Sequence, residues 1–276
     1  MKLTILNICL LLLMSNLSAD CPEEDDTIFT YQKDLSTRYI QNKASLNVTG
    51  LLAHWNFNEK YGFEMHDQSG NDFSAYLTGY VWNTNTSGLT SHFHRKGKRH
   101  GSISLGGKEW LQVKHSDQLN LNENFSIAAW INLSDIHKSV IVEKGTPDNG
   151  YSLFVNPLGE LVFRFSGHDE GPKFIKSKNN IIQPERWYFV GVLHNSDKKH
   201  IQLFLNDSII KEKSYNQQVQ NNTYMDLTIG GSLNDSLCFN GLIDEVSVYE
   251  RVLNKSELRS IYISGLPVVY AQTRET

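Results

Sequence analysis

An all-β fold, arranged as a two-sheet antiparallel sandwich with one short C-terminal helix, is predicted by three observations on this 276-residue sequence. Short runs rich in Val, Ile, Phe, Tyr and Trp recur along the chain, parted by turn clusters at the spacing of sandwich folds. No Pro-, Ser- or Gly-rich linker cuts the series between about residue 50 and residue 265. Helix signals are confined to one segment near the end, a pattern that disfavours α/β enzyme folds.

Leu51–Phe57 opens the series, and Gly101–Leu105 and Glu109–Val113 follow, split by Gly106-Gly107. Phe125–Leu133 alternates, with Phe125, Ile127, Ala129 and Ile131 on one face and Ser126, Ala128, Trp130 and Asn132 on the other. Tyr151–Val155 and Leu161–Phe165 are joined by Asn156-Pro157-Leu158-Gly159, which reads as a hairpin turn. Trp187–Leu193, Ile201–Leu205 and Ser208–Lys211 form a meander whose tight turn is Asn206-Asp207. Leu227–Ile229 and Leu242–Tyr249 complete the strands. The helix starts at Asn254, an N-cap whose partner in a capping box is Glu257, with Leu253 and Leu258 placed as a hydrophobic staple. It stops near Gly265-Leu266-Pro267.

The ends assign a compartment. Lys2 precedes an apolar run from Leu3 to Met14, too short to span a bilayer, and small and polar residues follow. Residues 1–19 therefore read as a secretory signal peptide, 20–49 as an extended acidic lead-in, 50–265 as one domain and 266–276 as a tail. Loss of the leader removes Cys9 and leaves Cys21 and Cys238, which suit one disulfide in an oxidising compartment; two free or intermolecular thiols are the alternative. Asn47, Asn85, Asn124, Asn132, Asn206, Asn221, Asn234 and Asn254 head Asn-x-Ser/Thr sequons, mostly at the edges of apolar runs, and would carry glycans in a eukaryotic secretory pathway. A net charge of −4 with 20% charged residues argues against nucleic acid as a partner, and no apolar stretch of membrane-spanning length occurs.

Four segments resemble the laminin-G-like branch of the concanavalin A-like lectin/glucanase superfamily. Leu52-Ala53-His54-Trp55-Asn56-Phe57-Asn58-Glu59 leads into Asp67-Gln68-Ser69-Gly70-Asn71. Gly101-Ser102-Ile103-Ser104-Leu105 precedes Trp110-Leu111-Gln112-Val113 and Leu119-Asn120-Leu121. The third is Phe125-Ser126-Ile127-Ala128-Ala129-Trp130-Ile131, and the last runs from Phe239 to Tyr249, followed by Leu253 and the helix. The resemblance spans about residues 50–263 and implies a jelly-roll sandwich. It also implies a structural calcium ion held by Asp67, Ser69, Gly70, Asn71 and Asp244, with Glu59 as a further ligand. Such oxygen-rich turns suit hard Ca²⁺, while the plainer reading of Asp67–Asn71 is an Asx-type turn.

Related sandwiches include glycoside hydrolases, which set two carboxylates on one strand face. The nearest segment here, Asp244-Glu245-Val246-Ser247, has adjacent acids on opposite faces and no spaced partner, so no catalytic residues are assigned and the chain reads as a non-enzyme. His92, His94 and His100 lack a metal-binding spacing. The basic run His94–His100 reads as a solvated loop, with a grip on a polyanion or a dibasic processing site as alternatives. Tyr80, Trp82 and Trp110 are placed in or beside loops, able to stack on sugar rings, and Trp55, Trp130 and Trp187 in the core. The expected function is a secreted, lectin-like carbohydrate-binding module; the alternative is a protein-protein adhesion module without a glycan. Exposed aromatics paired with Asn or Asp on one sheet face would favour sugar, and an apolar patch with a polar rim would favour protein.

Overall fold

Alternation along the apolar runs sorts the strands into two antiparallel sheets. The computed structural model describes residues 49–59, 62–79, 93–166, 172–216, 219, 221–233 and 238–264. The leader, the tail, almost all of the lead-in, and Cys21, Asn47, Tyr80, Trp82, Asn85, His92 and Asn234 lie outside them. In chain order the strands are β1 (Leu51–Trp55), β2 (Glu64–Met65), β3 (Ala75–Gly79), β4 (Phe93–Arg99), β5 (Gly101–Gly106), β6 (Glu109–Val113), β7 (Phe125–Leu133) and β8 (Ser139–Gly145). They continue as β9 (Gly150–Val155), β10 (Leu161–Ser166), β11 (Pro172–Lys176), β12 (Tyr188–Asn195), β13 (His200–Leu205), β14 (Ser208–Ser214), β15 (Leu227–Ile229) and β16 (Asn240–Tyr249), and α1 (Lys255–Ser264) closes the series.

The first sheet runs β14-β13-β12-β7-β16-β5-β4, with β1 also paired to β16; the second runs β11-β10-β9-β8-β15-β6-β3-β2. β5 and β6 are neighbours in sequence but belong to different sheets, so Gly106-Gly107 carries the chain across the sandwich. Between the sheets lies one apolar core, to which β7 gives Phe125, Ile127, Ala129 and Ile131, β9 gives Tyr151, Leu153 and Val155, and β10 gives Leu161, Phe163 and Phe165. The opposite residues of β7, Ala128 and Trp130, join a second cluster with Phe189, Phe204, Tyr249, Leu258 and Ile261. That cluster covers the outer face of the first sheet with α1. The capping box forms in both directions: Glu257 N–H donates to Asn254 Oδ1 at 3.1 Å and Asn254 N–H to Glu257 Oε2 at 2.7 Å. Leu253 and Leu258, the expected staple, both sit in the second cluster.

Five strands were not expected: β2, β3, β4, β8 and β11. The basic run is the main correction. It is not a loop; residues up to Arg99 form β4, which pairs with β5 through a bulge between His94 and Arg99. Its Lys98 Nζ lies 4.3 Å above the Trp130 ring, a cation–π contact that explains how a charged strand tolerates that face. Trp110, expected in or beside a loop, is the second residue of the expected strand β6, close to the Gly106-Gly107 turn. Trp55 and Trp130 are buried and Trp187 packs, partly buried, on the second cluster, as expected of core residues.

β8 brings a charge inside. Lys144 faces the same way as its pair partners Tyr151 and Leu227 and is fully buried. Its ammonium donates to Met225 O at 2.6 Å and to His115 Nδ1 at 3.0 Å. Burial pushes its pKa down from 10.5 to about 8, against the pull of Asp226 and Asp117. Between those two values the unfolded chain holds a proton that the folded one has released, so stability rises with pH across that window. Chemical denaturation at pH 7.5, 9 and 10 should show this rise, and Lys144→Met should flatten it.

Candidate functional site

Two places combine polar side chains with an architecture that positions them. The first is a seam on β16. One edge of this strand pairs with β7 along its length; the other pairs with β5 from Asn240 to Ile243 and with β1 from Val246 to Tyr249. Ile243 faces the main core, and so do Val246 and Val248, so the inward parity changes between them. A bulge between Asp244 and Ser247 makes that change, with Glu245 at a positive φ of 49°. The simple alternation expected for Asp244 and Glu245 is replaced by this bulge, and both are buried. Glu245 turns to β1, where Oε2 meets His54 Nε2 at 2.7 Å. Asp244 turns to β4 and β5. A Cβ placed on Gly97 would lie 2.9 Å from Asp244 Oδ2 and 1.7 Å from the Gly101 carbonyl oxygen, and one placed on Gly101 would lie 2.4 Å from the Phe57 carbonyl oxygen. Asn58 Oδ1 accepts from Gly101 N–H at 2.8 Å, which ties the chain leaving β1 to β5.

The residues expected with Asp244 as metal ligands are arranged differently. Asp67 Oδ1 accepts from His54 N–H and Ser69 N–H, both at 2.9 Å; Oδ2 accepts from Ser69 Oγ–H at 2.7 Å and Phe73 N–H at 3.1 Å. Four donors use the lone-pair sites of one carboxylate. The Asn71 amide donates to Leu52 O at 2.9 Å and to Leu51 O at 3.2 Å, and Gly70 supplies a φ of 94° for the bend. This turn is knit to β1 by its own hydrogen bonds. Glu59 Oε1 accepts from His66 N–H at 2.9 Å. The described residues contain no group of three or more His, Cys, Asp or Glu side chains able to hold a metal.

The second place is the outer face of the second sheet. Because Leu153, Phe163, Leu111 and Leu77 face the core, the residues between them point outward. Strand register then aligns one row across all eight strands: Phe174, Arg164, Ser152, Glu143, Thr228, Gln112, Tyr76 and Glu64. Aromatic residues stand toward both ends, Phe174 and Tyr76, 40% and 49% exposed. The middle is polar and enclosed, with Arg164, Ser152, Glu143 and Thr228 all buried. Glu143 Oε1 accepts from Ser232 Oγ–H, and Oε2 faces Arg164 Nη2 at 3.4 Å. Arg164 Nη1 and Ser152 Oγ are buried with no hydrogen-bond partner among the described residues. Burial pushes the Arg164 guanidinium below its ordinary pKa, with Glu143 and Asp148 opposing. The next row holds Lys176, Val162, Phe154 and Val140, and Lys138 Nζ lies 6.0 Å from the Phe154 ring centre. Among the described elements no helix covers this face, unlike that of the first sheet. Sequence reasoning did not single out these residues; the available signal was one arginine inside Leu161-Val162-Phe163-Arg164-Phe165, an apolar run.

An Asp-His-Ser alignment also occurs on the segment that leads into β8. His137 Nδ1 faces Asp135 Oδ1 at 2.6 Å and Nε2 faces Cys238 O at 3.0 Å. Nε2 also lies 3.3 Å from Oγ of the buried Ser139, so this nitrogen is shared between the Cys238 carbonyl and that hydroxyl. Cys238 is buried, and its expected partner Cys21 lies outside the described residues. Among the sequons, Asn254 is exposed and Asn124, Asn132 and Asn206 are half-buried. Asn221 is corrected: it is fully buried and its amide donates to Leu121 O at 3.0 Å, which leaves no room for a glycan on the folded domain.

A family profile described as the concanavalin A-like lectin/glucanases superfamily (Laminin_G_3) matches residues 105–259, a span that contains Asp244 and the polar row from Gln112 to Thr228. A search of curated proteins finds no match. Among solved structures, domain 4 of AbnA, an extracellular GH43 arabinanase from Geobacillus stearothermophilus, in complex with arabinotriose, is similar with a TM-score of 0.57 at 17% identity, over 77% of this chain and 98% of that one. The binding domain of botulinum neurotoxin DC, in complex with rat synaptotagmin II, gives 0.58 at 14% identity over 79% of this chain, which spans 52% of that domain. The CBM40 of a Ruminococcus gnavus IT-sialidase, bound to α2,3-sialyllactose, gives 0.50 at 17% identity, over 58% of this chain and 95% of that one. These likenesses establish a sandwich shared with binding domains.

The four hydrogen bonds on Asp67 carry a stability prediction. Asp67→Ala strands two backbone donors from the turn and one from β1, and should cost about 2–4 kcal/mol in urea denaturation. The loss should be the same with calcium and with a chelator; a loss seen only with calcium would make the turn a metal site.

Proposed function

Because this chain belongs to the concanavalin A-like lectin/glucanases superfamily, we propose that it is a secreted, non-catalytic module that binds carbohydrate on the outer face of its second sheet. One observation carries this reading: a polar row flanked by exposed aromatic rings, set on rigid strands. Sugars present both ring faces rich in C–H, which pack on aromatic side chains, and hydroxyls, which need directed donors and acceptors. The arabinotriose and sialyllactose complexes of similar structures lend support. Secretion rests on the leader-like first 19 residues.

A structural calcium ion is part of the proposal, and the seam on β16 suits it better than the Asp67 turn does. Asp244, with the carbonyls of Gly101 and Phe57, would supply the hard oxygens that Ca²⁺ takes. Its chemistry there would be to tie β16 to β5 and to the chain that leaves β1.

A glycan array probed with calcium present should return sugar ligands. Tyr76→Ala and Phe174→Ala should each weaken the best of them by about three- to tenfold, the range for loss of one aromatic contact. Binding untouched by both substitutions and by Gln112→Ala would remove the site from this face. For the ion, the melting temperature should fall on chelation in the unaltered protein and in Asp67→Ala, but not in Asp244→Asn, with about 2.7 kcal/mol of linkage at a hundredfold excess over Kd. An unaltered protein indifferent to chelation has no such ion.

A further inference from the structure

Arg164 and Ser152 are direct cross-strand neighbours on the outer face of the second sheet, close enough for their side chains to act on one ligand group. Both are at least nine-tenths buried, and each carries a polar atom with no hydrogen-bond partner among the described residues. Leaving such groups unmatched is costly, so a protein keeps them where something else completes them. The nature of the missing partner follows from the balance of donors and acceptors. Arg164 Nη1 offers two N–H donors and can accept nothing, while Ser152 Oγ adds a third donor. The nearby acceptor, Glu143, already takes Ser232 on Oε1 and faces Arg164 on Oε2 at 3.4 Å, longer than a strong charge-assisted bond. A sugar hydroxyl could pair with the Ser152 hydroxyl in either direction but would give the guanidinium only one oxygen. A carboxylate accepts only, and its two oxygens fit the guanidinium fork. The charges nearby are mixed: Glu143 and Asp148 act on Arg164 from within the domain, while the adjacent row carries the exposed Lys176, and Lys138 sits over Phe154.

We propose that the glycan bound on this face carries a carboxylate, held by the Arg164 guanidinium and the Ser152 hydroxyl. This rests on the glycan reading of the face and narrows it to acidic sugars. Phe154, half-buried in the next row, would pack against the ring that bears the carboxylate. Two sources share this chemistry, a terminal sialic acid and a chain of uronic acids, and separate probes tell them apart.

The test is isothermal titration of the secreted protein with α2,3-sialyllactose against lactose, and with trigalacturonate against its methyl ester. The acid of at least one pair should bind tenfold or more tightly than its neutral counterpart. Ser152→Ala should reduce that preference while leaving the melting temperature unchanged, because its hydroxyl holds nothing in the free protein. Arg164→Lys, which keeps the charge and loses the fork, should reduce it further. Binding of neutral sugars on this face without preference for the acid would overturn the carboxylate and leave the glycan reading standing. Preference retained in both variants would overturn the assignment to Arg164 and Ser152. An absence of binding to all four probes, with the array also empty, would overturn both readings.

Discussion

The sandwich hinges on one strand that must satisfy two neighbours along a single edge. β16 pairs with β5 and then with β1, and a continuous strand cannot keep its inward face filled across such a handover unless the register is reset. The bulge at Asp244–Glu245 performs the reset by adding one extra residue to β16, so that Ile243, Val246 and Val248 all reach the core. The cost is a non-glycine residue in the left-handed region and two carboxylates drawn out of water. His54 answers one of them. Gly97 lets β4 pass close to the other, since a Cβ there would lie 2.9 Å from Asp244 Oδ2. The polar seam is thus a result of how the strands are joined.

The two outer faces are treated in opposite ways for a related reason. Trp130 and Phe189 project from the first sheet and need cover, which α1 supplies through Leu258, Ile261 and a stacked Tyr262, 5.4 Å from the Trp130 ring. The second sheet alternates core residues with Arg164, Ser152, Glu143, Thr228 and Gln112. Arg164, Ser152, Glu143 and Thr228 are nonetheless buried, so the polar middle of this face is enclosed without a helix among the described elements. Recognition groups placed on strands also keep their spacing, because neighbouring strands are locked by backbone hydrogen bonds.

Much of the architecture could be read from the residues. The alternation of β7 identified both of its faces, and the capping box at Asn254 and Glu257 formed as expected, because these signals are local and periodic. β8 was overlooked: Ser139-Val140-Ile141-Val142-Glu143-Lys144-Gly145 is too short and too charged at one end to be told from a loop edge. β4 was hidden by its basic composition, whose tolerance depends on Trp130, a residue distant in sequence. The Asp67 turn shows a different limit. Its residue types are those of a cation site, and only the positions of His54 N–H and Phe73 N–H reveal that its lone pairs are in use. Arg164 stood out as a charge inside an apolar run, but its neighbours Ser152 and Glu143 come from strands whose register only the fold defines.

The pairing of β1 with β16 also determines how the domain would respond to tension. Leu51, where β1 begins, lies opposite Tyr249, where β16 ends, and Gly50 O and Thr49 O are bonded to Glu250 N–H and the Arg251 side chain at the same end. A pull between the flanking segments would first peel α1 from its aromatic bed, then part β1 from β16 one hydrogen bond at a time, as a zipper opens, with no strand loaded in shear. The domain would give way early under traction and expose the His54–Glu245 pair before the main core yielded. Such a seam makes it a soft link wherever it is tethered at both ends.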